Sequence, residues 1–125
     1  ILGSTGAKLI TIELNNRIAE EAKNNFKEFN INSEIIIGDA VIETAKLPKI
    51  FINYFDIIFI DFAKKGYIKV LENCIKMVKI NGFIIADNIT FEGCQDYKRS
   101  VTNDERLETE IIEIKDGLSC SKRLR

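Results

Sequence analysis

The sequence predicts an α/β fold: a doubly wound, mostly parallel sheet that ends in an antiparallel C-terminal β-hairpin. Three observations predict it. Short apolar runs alternate with longer amphipathic segments, the βαβα pattern of a parallel sheet covered on both faces. Each apolar run ends on a carboxylate or amide, namely Glu13, Asp39, Asp61, and Asp87 with Asn88. The C-terminal stretch switches to period-two alternation around an Asp-Gly turn signal.

Taken in order, "AKLITIEL" (7–14) reads as the first strand. "NNRIAEEAKNNFKEFN" (15–30) reads as a helix, because Ile18, Ala22, Phe26 and Phe29 recur at helical spacing. "SEIIIGDA" (33–40) is a second strand, and "AVIETAKL" (40–47) a short helix that Pro48 closes. "YFDIIFID" (54–61) reads as a buried third strand. "GYIKVLENCIKMVK" (66–79) is a helix with Leu71, Cys74, Ile75 and Val78 inward, and "NGFIIADN" (81–88) opens on a turn dipeptide and becomes the fourth strand. Residues 89–106 are polar and read as irregular. "LETEIIEIK" (107–115) and "LSCSKRL" (118–124), joined by the Asp-Gly turn at 116–117, form a hairpin that closes one edge of the sheet.

A chain of 125 residues predicts one domain, 1–125. Charged residues make up 30% and nearly cancel at −1, which argues against a strongly basic nucleic-acid binder but leaves room for a local basic patch. Three scattered cysteines form no zinc or disulfide pattern and suit a reducing cytoplasm. No apolar run approaches the roughly 20 residues that cross a bilayer, so no membrane partner is expected. The sequence contains no histidine, which excludes Ser-His-Asp and Cys-His catalysis and leaves acids, lysines and tyrosines.

In open α/β sheets, ligands bind beyond the carboxyl ends of the strands. Glu13, Asp39, Asp61, Asp87 and Asn88 stand there. Singly, each also reads as a helix or loop cap. If their strands are neighbours, Asp61 and Asp87 lie about 4.8 Å apart. Two close carboxylates and an amide oxygen suit a hard divalent cation, and they also suit a cap for the following loop. Lys64 lies three residues past Asp61; near a metal its pKa falls and it can serve as a general base, whereas a solvated lysine is the commoner case. Glu13 is placed to take ribose hydroxyls, and the "GDA" of 38–40 offers an adenine edge a carboxylate and a backbone amide, or is a plain turn.

"TIELNNRIAEEAKNNF", "IIIGDA", "FDIIFIDFAKKGY", "NGFIIADNITFEG" and "IKDGLSCSKR" occur in the order found in metal-dependent O-methyltransferases that use S-adenosylmethionine. The chain resembles the catechol and caffeoyl-CoA type over nearly its whole length. The resemblance implies a Rossmann-like methyltransferase fold. It implies Glu13 as ribose ligand and Asp39 with Ala40 as adenine contacts, with Asp61 and Phe62 also lining the cofactor. It implies Asp61, Asp87 and Asn88 as ligands of Mg²⁺, or of Ca²⁺ or Mn²⁺, and Lys64 as acceptor of the substrate proton. Dimerisation is common in the family. Ala63 and Phe91 look like the branch that methylates 5-hydroxyuridine in tRNA, which makes tRNA the preferred partner and a small catechol the alternative. The basic clusters "YKRS" (97–100) and "SKRLR" (121–125) could meet phosphates, or are solvated surface.

Two departures from the family stand out. Only "ILGSTG" precedes the first strand, so the family's first strand and its glycine-rich loop are missing; Gly3 and Gly6 imitate that loop. The expectation is that residues are absent there or that "ILGSTG" joins two separated pieces. Residues 94–103 read as too short for the helix the family carries before residue 107. Two other classes compete. A phospho-receiver domain would use Asp61 as phospho-acceptor but lacks an acidic pair after its first strand. A nicotinamide-dependent dehydrogenase would need a G-x-G-x-x-G motif opening a helix, and none is present.

Overall fold

The computed structural model describes residues 6–125, so nearly all of "ILGSTG", with Gly3, lies outside the described residues. The chain divides into two compact units, the first running to Glu43 and the second spanning Thr44–Arg125.

In the first unit, β1 (Lys8–Glu13) and β2 (Asn32–Ile37) pair in parallel, with Lys8 opposite Asn32 and Glu13 opposite Ile37. Parallel strands need a crossover, and α1 (Asn16–Glu28) supplies it. Asn15 starts that helix: its backbone is extended, and its side-chain oxygen accepts from the N–H groups of Arg17 (2.9 Å) and Ile18 (3.1 Å). The buried face centres on Ala19, with Ala22 and Phe26 half-buried. Ile18 and Phe29, expected on that face, are exposed. Ile18 lies about 100° round the helix from Ala19, and Phe29 sits beyond the last turn as the C-cap. α2 (Ala40–Lys46) begins behind Asp39 and runs into a 3-10 turn, Leu47–Lys49, whose first turn contains Pro48, where a missing N–H has little cost.

The second unit is a four-stranded sheet of β3 (Phe55–Ile60), β4 (Val78–Asp87), β5 (Leu107–Ile112) and β6 (Leu118–Arg123), in the order β3-β4-β6-β5. β3 and β4 are parallel and joined by α3 (Tyr67–Met77). α3 buries Tyr67, Val70, Leu71, Cys74 and Ile75, the spacing of one helix face. The expected alternation of parallel strands and helices is therefore present, with the strands divided between two sheets.

β4 starts three residues earlier than the sequence pattern indicates. Val78 pairs with Phe55 and Phe83 with Ile57, so residues 79–82 bulge opposite Asp56 alone. Asn81, at φ 68°, turns the bulge, and Lys79 Nζ donates to Asp56 Oδ1 at 2.9 Å across it. That ion pair explains an acid inside an apolar run. β3 is buried on one face only: Ile60 is buried, while Ile57 and Phe59 are each 59% exposed.

Residues 89–106 are more ordered than their polarity indicates. A 3-10 turn (Glu92–Cys94) leads into α4 (Gln95–Asn103), so the segment expected to be too short for a helix holds one. Only two residues of α4, Tyr97 and Val101, are buried, one turn apart. β5 (Leu107–Ile112) and β6 (Leu118–Arg123) form the expected hairpin, and β6 lies between β4 and β5. Gly117, at φ 72°, and Asp116, at φ 61°, make its turn, a backbone shape that favours Gly and Asp. Among the described residues no helix is long and apolar enough to cross a membrane.

Arg106 ties the hairpin's first strand to α3. It donates to both carboxylate oxygens of Glu72 (3.1 and 2.9 Å) and to those of Asp104 (3.0 and 2.7 Å). Hydrogen bonds from the guanidinium hold both carboxyls below their ordinary pKa. Arg106→Met should cost about 0.5–1 kcal/mol, since the network is partly exposed. Because the folded pKa values are depressed, this contribution is full above the ordinary carboxylate range and disappears as pH falls through the folded values. Urea unfolding of both proteins should show the gap closing below about pH 4.

Candidate functional site

The site is built by the register of β3 on β4. Ile60 stands opposite Ala86, so the next residue of each strand, Asp61 and Asp87, stands at adjacent strand ends. Ile60 and Ala86 are buried, whereas the Asp61 side chain is 47% exposed. After Asp87 the chain turns sharply through Asn88, at φ 57°. Asp87 Oδ1 accepts from the Asn88 N–H at 2.8 Å and so caps that turn.

Lys64 comes from the 3-10 turn Lys64–Gly66, which follows β3. Its Nζ donates to Asp61 Oδ1 at 3.0 Å and to the Tyr67 hydroxyl at 2.8 Å. The Tyr67 hydroxyl in turn donates to the Asp87 carbonyl at 2.9 Å. One hydrogen-bonded chain thus runs from the end of β3 to the end of β4. Burial lowers the Lys64 pKa, but the hydrogen bonds to Tyr67 and Asp61 outweigh it and set the lysine above its ordinary value. This is the opposite direction from the lowering that a metal would cause. Burial pushes the Tyr67 phenol up.

The loop after β4 is packed against the Lys64 turn. A Cβ on Gly93 would meet Lys64 Cβ at 3.2 Å and Lys65 Cγ at 3.3 Å, so the approach favours glycine. Cys94 Sγ donates to the Lys64 carbonyl at 3.8 Å. The Gln95 side-chain amide donates to the carbonyls of Thr90 and Phe91, both at 3.1 Å. The hairpin turn joins in, as the Asp116 carbonyl accepts from the Thr90 N–H and hydroxyl. Phe91 remains 44% exposed on this braced loop. Beside it, Lys65, Glu92, Gly93 and Asp96 line an open groove of about 490 Å³.

In the first unit, Glu13 Oε1 accepts from the Asn15 N–H at 3.0 Å. Asp39 Oδ1 accepts from the N–H groups of Val41 (2.9 Å) and Ile42 (3.1 Å), so its role as a helix cap is realised, and Ala40 opens the helix it caps. Phe62 packs on Tyr67 with ring centroids 5.4 Å apart. Of the two basic clusters, much is taken up by the fold. Tyr97 is buried, Arg123 donates to Asn53 and to the Val78 carbonyl, and Arg125 to the Glu105 carbonyl.

A family profile described as O-methyltransferase matches residues 4–124. The chain belongs to the O-methyltransferase family. Solved structures with the same fold include an O-methyltransferase from Bacillus cereus in complex with SAH (20% identity, TM-score 0.85, 94% of this chain and 63% of that one). Others are TomG from Streptomyces achromogenes, an O-methyltransferase of tomaymycin synthesis in complex with SAM (19%, 0.84, 95% and 63%), and an SAH-bound methyltransferase from Podospora anserina (18%, 0.81, 97% and 62%). At such identities the likeness is one of fold. The chain spans a little over three fifths of the length of these relatives.

Membership of the O-methyltransferase family sets aside the receiver and dehydrogenase readings. It also directs attention to the oxygen donors. Asp61 and Asp87 each engage one carboxylate oxygen, and among the described residues Oδ2 of each has no hydrogen-bond partner. No group of three His, Cys, Asp or Glu side chains is placed to hold a metal among the described residues. What the register does bring to two adjacent strand ends is a pair of carboxylates, Asp61 and Asp87, followed by Asn88, oxygen donors of the type a hard cation takes.

Sequence reasoning assigned no role to Tyr67 or Gln95. The signal for Tyr67 was present in the spacing of Asp61, Lys64 and Tyr67, three residues apart each time. Gln95 left none, since its partners are backbone carbonyls. Gly93→Ala should shift the backbone amide resonances of Lys64 and Lys65 while costing less than about 1 kcal/mol of stability in urea unfolding.

Proposed function

We propose that this chain is part of an enzyme that moves the methyl group of S-adenosylmethionine to a hydroxyl lying next to a second oxygen. The observation that carries the reading is the Lys64–Asp61 ion pair at the end of a strand paired in parallel with the strand that ends in Asp87, within a chain of the O-methyltransferase family. The complexes of the relatives with SAM or SAH support the donor. Residues 1–125 read as one methyltransferase domain, and its three free cysteines suit the cytoplasm.

Asp61, Asp87 and Asn88 would hold a divalent cation, Mg²⁺ by the hardness of the donors. Bound there, the cation supplies positive charge that lowers the pKa of a nearby hydroxyl and of Lys64. Glu13 would take the ribose hydroxyls, Asp39 and Ala40 the adenine, and Phe62 with Asp61 would line the cofactor. S-adenosylmethionine supplies an electrophilic methyl group on a sulfonium. The substrate oxygen bonds to the methyl carbon as the carbon–sulfur bond breaks, and sulfur leaves as a neutral thioether. The hydroxyl proton passes to the Lys64 amine, held by Asp61 and Tyr67 at the edge of the site.

The preferred substrate is 5-hydroxyuridine in tRNA, whose 5-hydroxyl lies beside its O4 carbonyl. Ala63 and Phe91 support it by resemblance, and an exposed aromatic ring on a braced loop suits stacking on a base. A small catechol presents the same pair of oxygens and is the second reading.

Calorimetric titration with S-adenosylmethionine should give measurable binding, and its absence would count against the donor. Asp61→Ala and Asp87→Ala should each lower turnover by about 100-fold or more, with the circular dichroism spectrum unchanged. EDTA should abolish turnover and Mg²⁺ restore it; an indifferent enzyme would remove the cation from the account. Methyl transfer to tRNA carrying 5-hydroxyuridine, run beside a catechol, separates the two substrates.

A further inference from the structure

A lysine ammonium has three N–H positions. At Lys64 one is directed to Asp61 Oδ1 at 3.0 Å and another to the Tyr67 hydroxyl at 2.8 Å. A tetrahedral nitrogen with its carbon and two partners fixed has one direction left. Any group meeting Lys64 from outside meets it there, whether that position carries a proton or a lone pair.

Asp61 alone does not fix this direction. It is half-exposed, and a single ion-pair contact leaves the nitrogen free to turn about the line between them. Tyr67 supplies the second fixed point and is itself held. It is fully buried, its ring packs on Phe62 (5.4 Å) and edge-on against Tyr97 (5.6 Å), and its hydroxyl donates to the Asp87 carbonyl. The hydroxyl must accept from Lys64 and donate to Asp87 at once, which phenylalanine cannot do. Cys94 Sγ donates to the lysine's carbonyl, and Gly93 lies close against its Cβ.

We propose that Tyr67 is a positioning residue for methyl transfer: its hydroxyl aims the open position of Lys64 Nζ and ties it to the end of β4. This rests on the reading of Lys64 as proton acceptor. A purely structural tyrosine would also seek a partner for its buried hydroxyl, but its loss would lower stability and leave the rate per folded enzyme alone.

The test uses Tyr67→Phe, Lys64→Met and the double variant in the full-length protein. Tyr67→Phe should lower kcat about 10- to 100-fold, as misplacement of an acceptor by a fraction of its reach does. The KM for the hydroxyl substrate and the Kd for S-adenosylmethionine should stay within about twofold. In the Lys64→Met background, Tyr67→Phe should have no further effect on kcat. The crystal structure of Tyr67→Phe should show Lys64 Nζ displaced by about 1 Å or more. An unchanged kcat, an equal fall in the Lys64→Met background, or an undisplaced Nζ would each overturn the proposal. If the wild-type protein transfers no methyl group, the functional reading fails, and the crystallographic position of Nζ still decides whether Tyr67 places Lys64.

Discussion

The pairing of β3 with β4 is the constraint on which the site depends. Strand register is all-or-none, because a slip of one residue turns every side chain to the other face. Here the register is held from both ends. At the start, the bulge at 79–82 absorbs the extra residues of β4, and the Lys79–Asp56 ion pair closes over it. Along the strands, Ile60, Ile84 and Ala86 are buried in the core beside α3. With those fixed, Asp61 and Asp87 have no freedom to be anywhere but side by side at the strand ends. Acid chemistry at the rim is thus a consequence of apolar burial beneath it.

Carboxylates at neighbouring strand ends tend to repel, and the fold places a cation on one of them, Asp61. Lys64 lies on Asp61, and the Tyr67 hydroxyl carries the connection on to the Asp87 carbonyl. In the proposed reaction the same lysine side chain, once it is a neutral amine, receives the proton. In this protein alone its pKa lies above the ordinary value, so the role requires added positive charge near Asp61, which a bound divalent ion would bring. The surrounding loop is braced by many small contacts, from Gly93, Cys94, Gln95 and the hairpin turn, most of them to backbone. Such bracing keeps a loop in place without filling it with apolar side chains.

The parts of this arrangement that depend on local pattern were legible in the sequence. The strand runs, the crossover helices and the Asp-Gly hairpin all carry periodicity or turn chemistry, and the acids at the strand ends could be read from where the apolar runs stop. Asp39 illustrates the limit of that reading: the same residue that fits an adenine site is, in the fold, the cap of α2. α4 was missed because "QDYKRSVTN" offers only Tyr97 and Val101 as apolar anchors, too few to raise a helical signal above its polarity. Exposure of Ile57 and Phe59 was not legible, since an apolar strand looks the same whether one face is covered or two. The buried hydroxyl layer was also invisible. Thr109 donates to the Val101 carbonyl at 2.6 Å and shares a hydrogen bond with Ser121, while the hydroxyls of Tyr97 and Ser119 are buried beside each other. Serines in a strand carry no mark of which face they will take.

The central claim is that the ends of β3 and β4 together hold one hard cation. Titration of the ¹⁵N-labelled protein with Mn²⁺, followed residue by residue in the amide spectrum, tests it most directly. The account predicts that sub-stoichiometric Mn²⁺ first broadens the amides of Asp61, Phe62, Asp87 and Asn88, and that excess Mg²⁺ reverses the broadening. Broadening that begins instead at the exposed acids of α1, or that spreads evenly over the surface, would contradict it.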